Sequence, residues 1–177
     1  AHAYLSMLGK MVDVDITAVN LAIGGCSLER HWNNIESNSK SYLHLINDNG
    51  WGGPEVTVDE IIKNDTFDIV TLQQVSHYSG MAETYEPYLP YILGYIHGAC
   101  PNAKIVFHRT WAYSDYSDHG GFVNYGNSRP QMFDAIVKAS TEICKKYNLD
   151  IIPNGDAVEE ARKLPEFDEK THPITRD

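Results

Sequence analysis

Apolar positions along the chain fall into two alternating kinds of block. Tyr4, Leu5, Met7, Leu8 and Met11 recur at helical spacing and predict a first amphipathic helix. Ile16 to Ile23 (ITAVNLAI) is continuous and β-branched, the mark of a buried strand, and Gly24-Gly25 ends it. From Leu28 to about Ile46 the apolar residues Leu28, Trp32, Ile35, Tyr42, Leu45 and Ile46 predict helix, broken near Asn38. Asn47 to Pro54, rich in glycine, reads as a loop. Thr57 with Glu60 three residues on is a capping box for a short helix to Lys63. Phe67 to Leu72 is a second strand, Glu86 to Cys100 a helix, and Ala103 to Phe107 a third strand. Thr110 to Asn127 is a long polar loop. Met132 to Tyr147 is a helix, Leu149 to Ile152 a fourth strand closed by Pro153, and Asp156 to Lys163 a final short helix.

Continuous apolar strands separated by helices imply a parallel sheet covered on both faces, hence an α/β fold. The 177 residues suit one domain. A hydrophobic content of 42% and a charged content of 21% exclude a disordered or collagen-like chain. The net charge of −10 leaves no basic face for nucleic acid. No apolar run reaches the ~18–20 residues that cross a bilayer. Cys26, Cys100 and Cys144 form no CxxC pair, so neither a disulfide framework nor a structural zinc site is expected. The chain starts inside a helical pattern at Ala1 and stops at Asp177 in THPITRD without a closing element. That is expected of a piece cut from a longer protein.

In parallel sheets, functional groups gather beyond the carboxyl ends of the strands. Here those ends are Gly24-Gly25-Cys26-Ser27, Gln73-Gln74-Val75-Ser76-His77 and His108-Arg109-Thr110-Trp111. Gly24-Gly25 could offer backbone N–H groups to an oxyanion, but locally a tight turn needing positive φ is the better explanation. Two adjacent buried amides are costly without partners. Gln74 therefore reads equally as a donor to developing negative charge or as an anchor for the next loop, and Gln73 as an anchor. Asp115, Asp118 and His119 offer oxygen and nitrogen ligands but match no metal motif, and no metal is expected. Trp111, Tyr113 and Tyr116 could stack on a sugar ring or pin their loop to the core. Neither GxGxxG nor GxxxxGK[ST] occurs, so no cofactor is implied. Ser27 stands outside any GxSxG elbow.

Several segments carry a resemblance. NLAIGGCSLERHW (Asn20 to Trp32), DIVTLQQVSHYSG (Asp68 to Gly80), TYEPYL (Thr84 to Leu89), HRTWAYSD (His108 to Asp115) and IIPNGDAVEEAR (Ile151 to Arg162) resemble a family of bacterial SGNH-type (GDSL-like) hydrolases, in the branch grouped as DUF4886. The resemblance covers nearly the whole chain. It implies a three-layer, flavodoxin-like parallel sheet whose first, central strand is missing here. It also implies a serine esterase acting on carboxylic esters, often acyl or acetyl groups of carbohydrates.

By that resemblance the block bearing the nucleophilic serine ends a few residues before Ala1. Gly25 matches the glycine whose N–H helps form the oxyanion hole. Where the family has an asparagine donor this chain reads Gln-Gln-Val-Ser-His, and Gln74 takes that place. Asp177 matches the acid of an Asp-x-x-His block, so the catalytic histidine would lie three residues beyond it. Gln73, His77 and Trp111 are the substrate-binding candidates. The expected partner is a small-molecule or carbohydrate ester, with no nucleic acid and no membrane span. The alternative is a non-catalytic carbohydrate-binding module on the same fold.

Overall fold

A computed structural model describes residues 2–47 and 52–167. The chain forms two compact units, one from its start to Gly24 together with Arg30–Thr66, the other from Gly25–Glu29 and the chain from Phe67 onward.

In the first unit, α1 (His2–Met11) is followed by β1 (Val19–Ala22), and β2 (Tyr42–Ile46) and β3 (Glu55–Val56) complete an antiparallel sheet in the order β1-β2-β3. Val19 pairs with Ile46, Ala22 with Leu43, and Tyr42 with Val56. This corrects two expectations. The strand expected at Ile16 to Ile23 is shorter and belongs to this sheet rather than to the parallel one. The helix expected toward Ile46 ends as α2 (Leu28–Glu36); Asn38 turns the chain at φ 48°, and Tyr42–Ile46 is a strand. Five apolar-rich residues cannot distinguish strand from helix by period, and pairing with β1 decides the matter. Asn47 closes this ladder at φ 50°, its Oδ1 accepting from Ala18 N at 2.9 Å while its own N–H donates to Ala18 O at 2.8 Å.

The capping box opens α3 (Val58–Ile62) as expected: Glu60 N donates to Thr57 Oγ1 at 3.1 Å, and Thr57 N donates to the Glu60 carboxylate at 2.9 Å. Helix α1 forms, but among its described side-chain positions Ser6 and Gly9 are buried and Tyr4, Leu5, Met7, Leu8 and Met11 are exposed. A Cβ on Gly9 would lie 2.7 Å from Val14 O, so small residues set how closely the chain returns along α1.

The second unit holds the parallel sheet. Its strands are β4 (Ile69–Leu72), β5 (Lys104–His108) and β6 (Asp150–Ile152), in that order, with Leu72 paired to Phe107 and His108 to Ile152. Side chains alternate between faces along a strand, yet Ile105, Val106 and Phe107 are all buried. Both faces of β5 are therefore covered, and the architecture is three-layer α/β, as expected.

Helix α4 (Tyr88–Ala99) buries Leu89, Ile92, Leu93 and Ile96, each worth about 1.5–3 kcal/mol. Helix α5 (Arg129–Tyr147) begins at Ser128, whose hydroxyl accepts from Gln131 N, and ends at Asn148 with φ 53°. Helix α6 (Asn154–Ala161) follows β6. The loop expected to be wholly polar contains a 3-10 turn, Gly120–Tyr125. Phe122 and Tyr125 from that turn join Ala112, Tyr113, Met132 and Ile136 in a core cluster. Among the described residues no helix is long and apolar enough to cross a membrane.

Candidate functional site at the strand ends

Parallel pairing brings the carboxyl ends of β4, β5 and β6 to one edge of the second unit. Gln74, two residues past β4, is wholly buried. Its Oε1 accepts from Leu28 N at 3.1 Å and from Val75 N at 2.9 Å. Its Nε2 donates to the carbonyl of Thr84 at 3.0 Å and to the Thr84 hydroxyl at 3.1 Å. That hydroxyl donates in turn to Met81 O at 2.7 Å. All the amide's hydrogen-bonding capacity is thus spent inside the protein, which removes the cost of burying it. Of the two roles the residue type allows, this arrangement is the loop anchor. Gln73, beside it, is exposed.

Gly25 is exposed at φ +59°, and a Cβ there would meet no heavy atom within 4 Å. Its segment is held to the post-β4 loop through Leu28 and Gln74. That loop is joined to the post-β5 loop by further contacts. The rings of His77 and His119 stack at 5.4 Å. The Tyr125 hydroxyl accepts from Gly80 N at 3.0 Å and donates to His77 O at 3.2 Å.

Half-buried His77 has its pKa lowered, first by burial and then by the nearby charge of His119. His119 caps the 3-10 turn, its Nδ1 accepting from Gly121 N at 3.0 Å, so a neutral ring carries its proton on Nε2. The same ring packs on Tyr113 at 4.8 Å, and Asp115 pairs with Arg129. Asp115, Asp118 and His119 form no metal-holding group, and no cluster of three such ligands occurs among the described residues. Tyr113 is buried and pins its loop to the core, whereas Tyr116 is exposed and Trp111 half-buried. Asp177 lies outside the described residues. Cys26, Cys100 and Cys144 are buried, and none of them is joined in a disulfide.

Sequence reasoning did not anticipate two features here. Arg109, buried at the end of β5, donates through Nη1 to both carboxylate oxygens of Asp156, through Nε to Ser140 and through Nη2 to Thr141, all at 2.9 Å. Thr84 is the partner that satisfies Gln74; its place in the TYEPYL segment was the available signal.

Fold and strand-end loops together define a three-layer α/β protein with its polar groups gathered at one sheet edge. The model of DUF4886, a domain of unknown function, matches residues 1–172, and the chain belongs to that family. A DUF4886 family protein from Bacteroides uniformis is similar in structure, with a TM-score of 0.85 and 30% identity, over 92% of this chain and 64% of that one. The chain thus spans less than two thirds of that protein's length. A putative SGNH hydrolase from Slackia heliotrinireducens shares the fold at a TM-score of 0.50 and 19% identity, over 82% of this chain and 68% of that one. Comparison with curated proteins gives no match.

Proposed function

We propose that the protein is an SGNH-type ester hydrolase that uses a serine–histidine–aspartate triad on acyl or acetyl esters of carbohydrates. The observation that carries this reading is Gly25: exposed, left-handed and with open space around its Cα, it lets a substrate oxygen approach its backbone N–H. Gln74 supports it as a positioning residue. By holding Leu28 N and Val75 N it fixes the segment that bears Gly25, and it would donate to an oxyanion itself only by releasing Thr84.

In the proposed reaction the serine oxygen attacks the ester carbon as the histidine takes its proton. The Gly25 N–H stabilises the oxyanion that forms. Collapse expels the alcohol, which receives the proton from the imidazolium, and water repeats the cycle on the acyl-enzyme. Asp177 holds the imidazole in the productive tautomer. Gln73, His77 and Trp111 line the alcohol side. Serine and histidine come from chain outside these 177 residues, in keeping with the greater length of the Bacteroides protein.

The test is p-nitrophenyl acetate hydrolysis by the 177-residue chain and by the protein extended at both ends with its encoded flanks. The extended protein should turn over and the shorter chain should not. An extended protein that binds sugars without hydrolysing any ester would sink the esterase in favour of the binding module.

A further inference from the structure

The post-β4 and post-β5 loops meet through two imidazoles. His77, in the 3-10 turn Ser76–Tyr78, and His119, at the head of the turn Gly120–Tyr125, are both half-buried, with ring centroids 5.4 Å apart and planes 27° from parallel. The fit is close: a Cβ on Gly121 would lie 2.4 Å from His77 Cβ and 3.2 Å from His119 Nδ1. Only a glycine lets the turn lie this near His77. We propose that this junction is a proton-operated clasp between the two loops, closed while both imidazoles are neutral and released when they take up protons.

The hydrogen bond at His119 sets the direction. A backbone N–H can only donate, so Gly121 N, 3.0 Å away, needs a bare Nδ1 on His119. Protonating that nitrogen removes the acceptor at the head of the turn and puts a positive charge beside its amide end. A charge on His77 then faces a second one across the stack. The closed form therefore binds fewer protons than the open form, and acid favours opening. Of the groups packed around the junction, Tyr78 lies on His77 at 4.2 Å and Tyr113 on His119 at 4.8 Å, both phenols. The nearby carboxylates are Asp118, next to His119 in the chain, Glu83, whose charge acts on Tyr125, and Asp115, 3.1 Å from Arg129. At His77, burial and the His119 charge decide the balance, and both favour the neutral ring.

Release loosens what the turn carries. The Tyr125 hydroxyl accepts from Gly80 N at 3.0 Å and donates to His77 O at 3.2 Å, and Asn124 Nδ2 donates to that same carbonyl at 3.3 Å. A shifted turn therefore lets go of the loop that bears His77 at the strand-end site. The bearing of that motion on the site rests on the esterase reading above, whereas the clasp does not, and no substrate enters its test.

The experiment is amide hydrogen exchange by NMR on the ¹⁵N-labelled protein extended with its encoded flanks, from about pH 8 to about pH 5, the range in which imidazoles titrate. Protection factors at Gly121 and Gly80 should fall together, about five- to tenfold, while Val75, held by the Gln74 side chain, keeps its own. His119→Asn offers a capping oxygen that does not titrate and should keep both glycines protected across the range. Should that variant not fold, the His119 Nδ1 resonance of the wild type takes its place, and it should move from its unprotonated to its protonated position as Gly121 loses protection. Protection that does not change, a fall at Gly121 without one at Gly80, an equal fall at Val75, or a folded His119→Asn that still opens overturns the proposal.

Discussion

Arg109 grips Asp156 with one nitrogen, Nη1 standing 2.9 Å from each carboxylate oxygen. The arginine side chain is 9% exposed and the aspartate side chain 41%, so the two ends of this pair differ in what their removal does. Arg109→Met leaves Ser140, Thr141 and Asp156 without their donor and should cost about 3 kcal/mol. Asp156→Asn, which leaves the buried guanidinium without its counter-charge, should cost at least as much, about 3 kcal/mol or more. Urea unfolding midpoints of the two variants check the order.

Gln74 is expected to matter for stability before it matters for rate. Gln74→Ala strands two buried N–H groups and opens a cavity, for a loss of about 2–4 kcal/mol. In the extended protein the same change should lower kcat more than it raises KM, because a displaced oxyanion donor is felt when charge develops. Equal stability of Gln74→Ala and wild type by chemical denaturation would contradict the anchor.

Gly25→Ala meets no steric obstacle, only the left-handed backbone, so it should fold with a penalty of about 1–2 kcal/mol. If the Gly25 N–H serves the oxyanion, kcat in the extended protein should fall by about 100-fold or more once the turn shifts. Asp177→Asn should leave the melting temperature unchanged and reduce kcat by up to about 10⁴-fold through the wrong histidine tautomer. Steady-state kinetics on p-nitrophenyl acetate, paired with thermal melts, separate these effects.

His31 supplies a pH signature in the first unit. Its Nδ1 bonds the Tyr42 hydroxyl at 2.9 Å, and burial, with Arg30 adding to it, lowers its pKa to about 4. The unfolded chain binds this proton near pH 6.5 and the folded protein does not until about pH 4. Stability contributed by the neutral ring is therefore full above pH 6.5 and falls as pH drops toward 4, by at most about 3 kcal/mol. Melting temperatures of wild type and His31→Gln between pH 7 and 4 should converge on acidification.

Legibility in the sequence followed the range of the interactions. The Thr57–Glu60 box and the helices at Tyr88–Ala99 and Arg129–Tyr147 are local, and their residues announce them. Tyr42–Ile46 is a strand only because β1 lies beside it, a pairing that no short window contains. Phe122 and Tyr125 are buried in a stretch whose glycines, serines and aspartates suggest solvent, since two aromatics suffice to dock a loop. At the site, residue types flagged Gly25, Gln74 and His77. The direction of Gln74's four bonds, and the stacking of His77 on His119, depend on packing that composition does not encode.

Among the described residues, strand β4 lies at one edge of its sheet, and its first residue, Ile69, is 58% exposed. An apolar strand at a sheet edge is a template for another strand, including the same strand of another molecule. The charge of −10 holds copies of this 177-residue chain apart at low ionic strength. Concentrated salt shortens the reach of that repulsion to about 3 Å at 1 M. Colloidal behaviour should therefore invert the usual salting-in intuition for so acidic a chain: dilute buffer keeps it dispersed, and brine invites it to polymerise edge to edge.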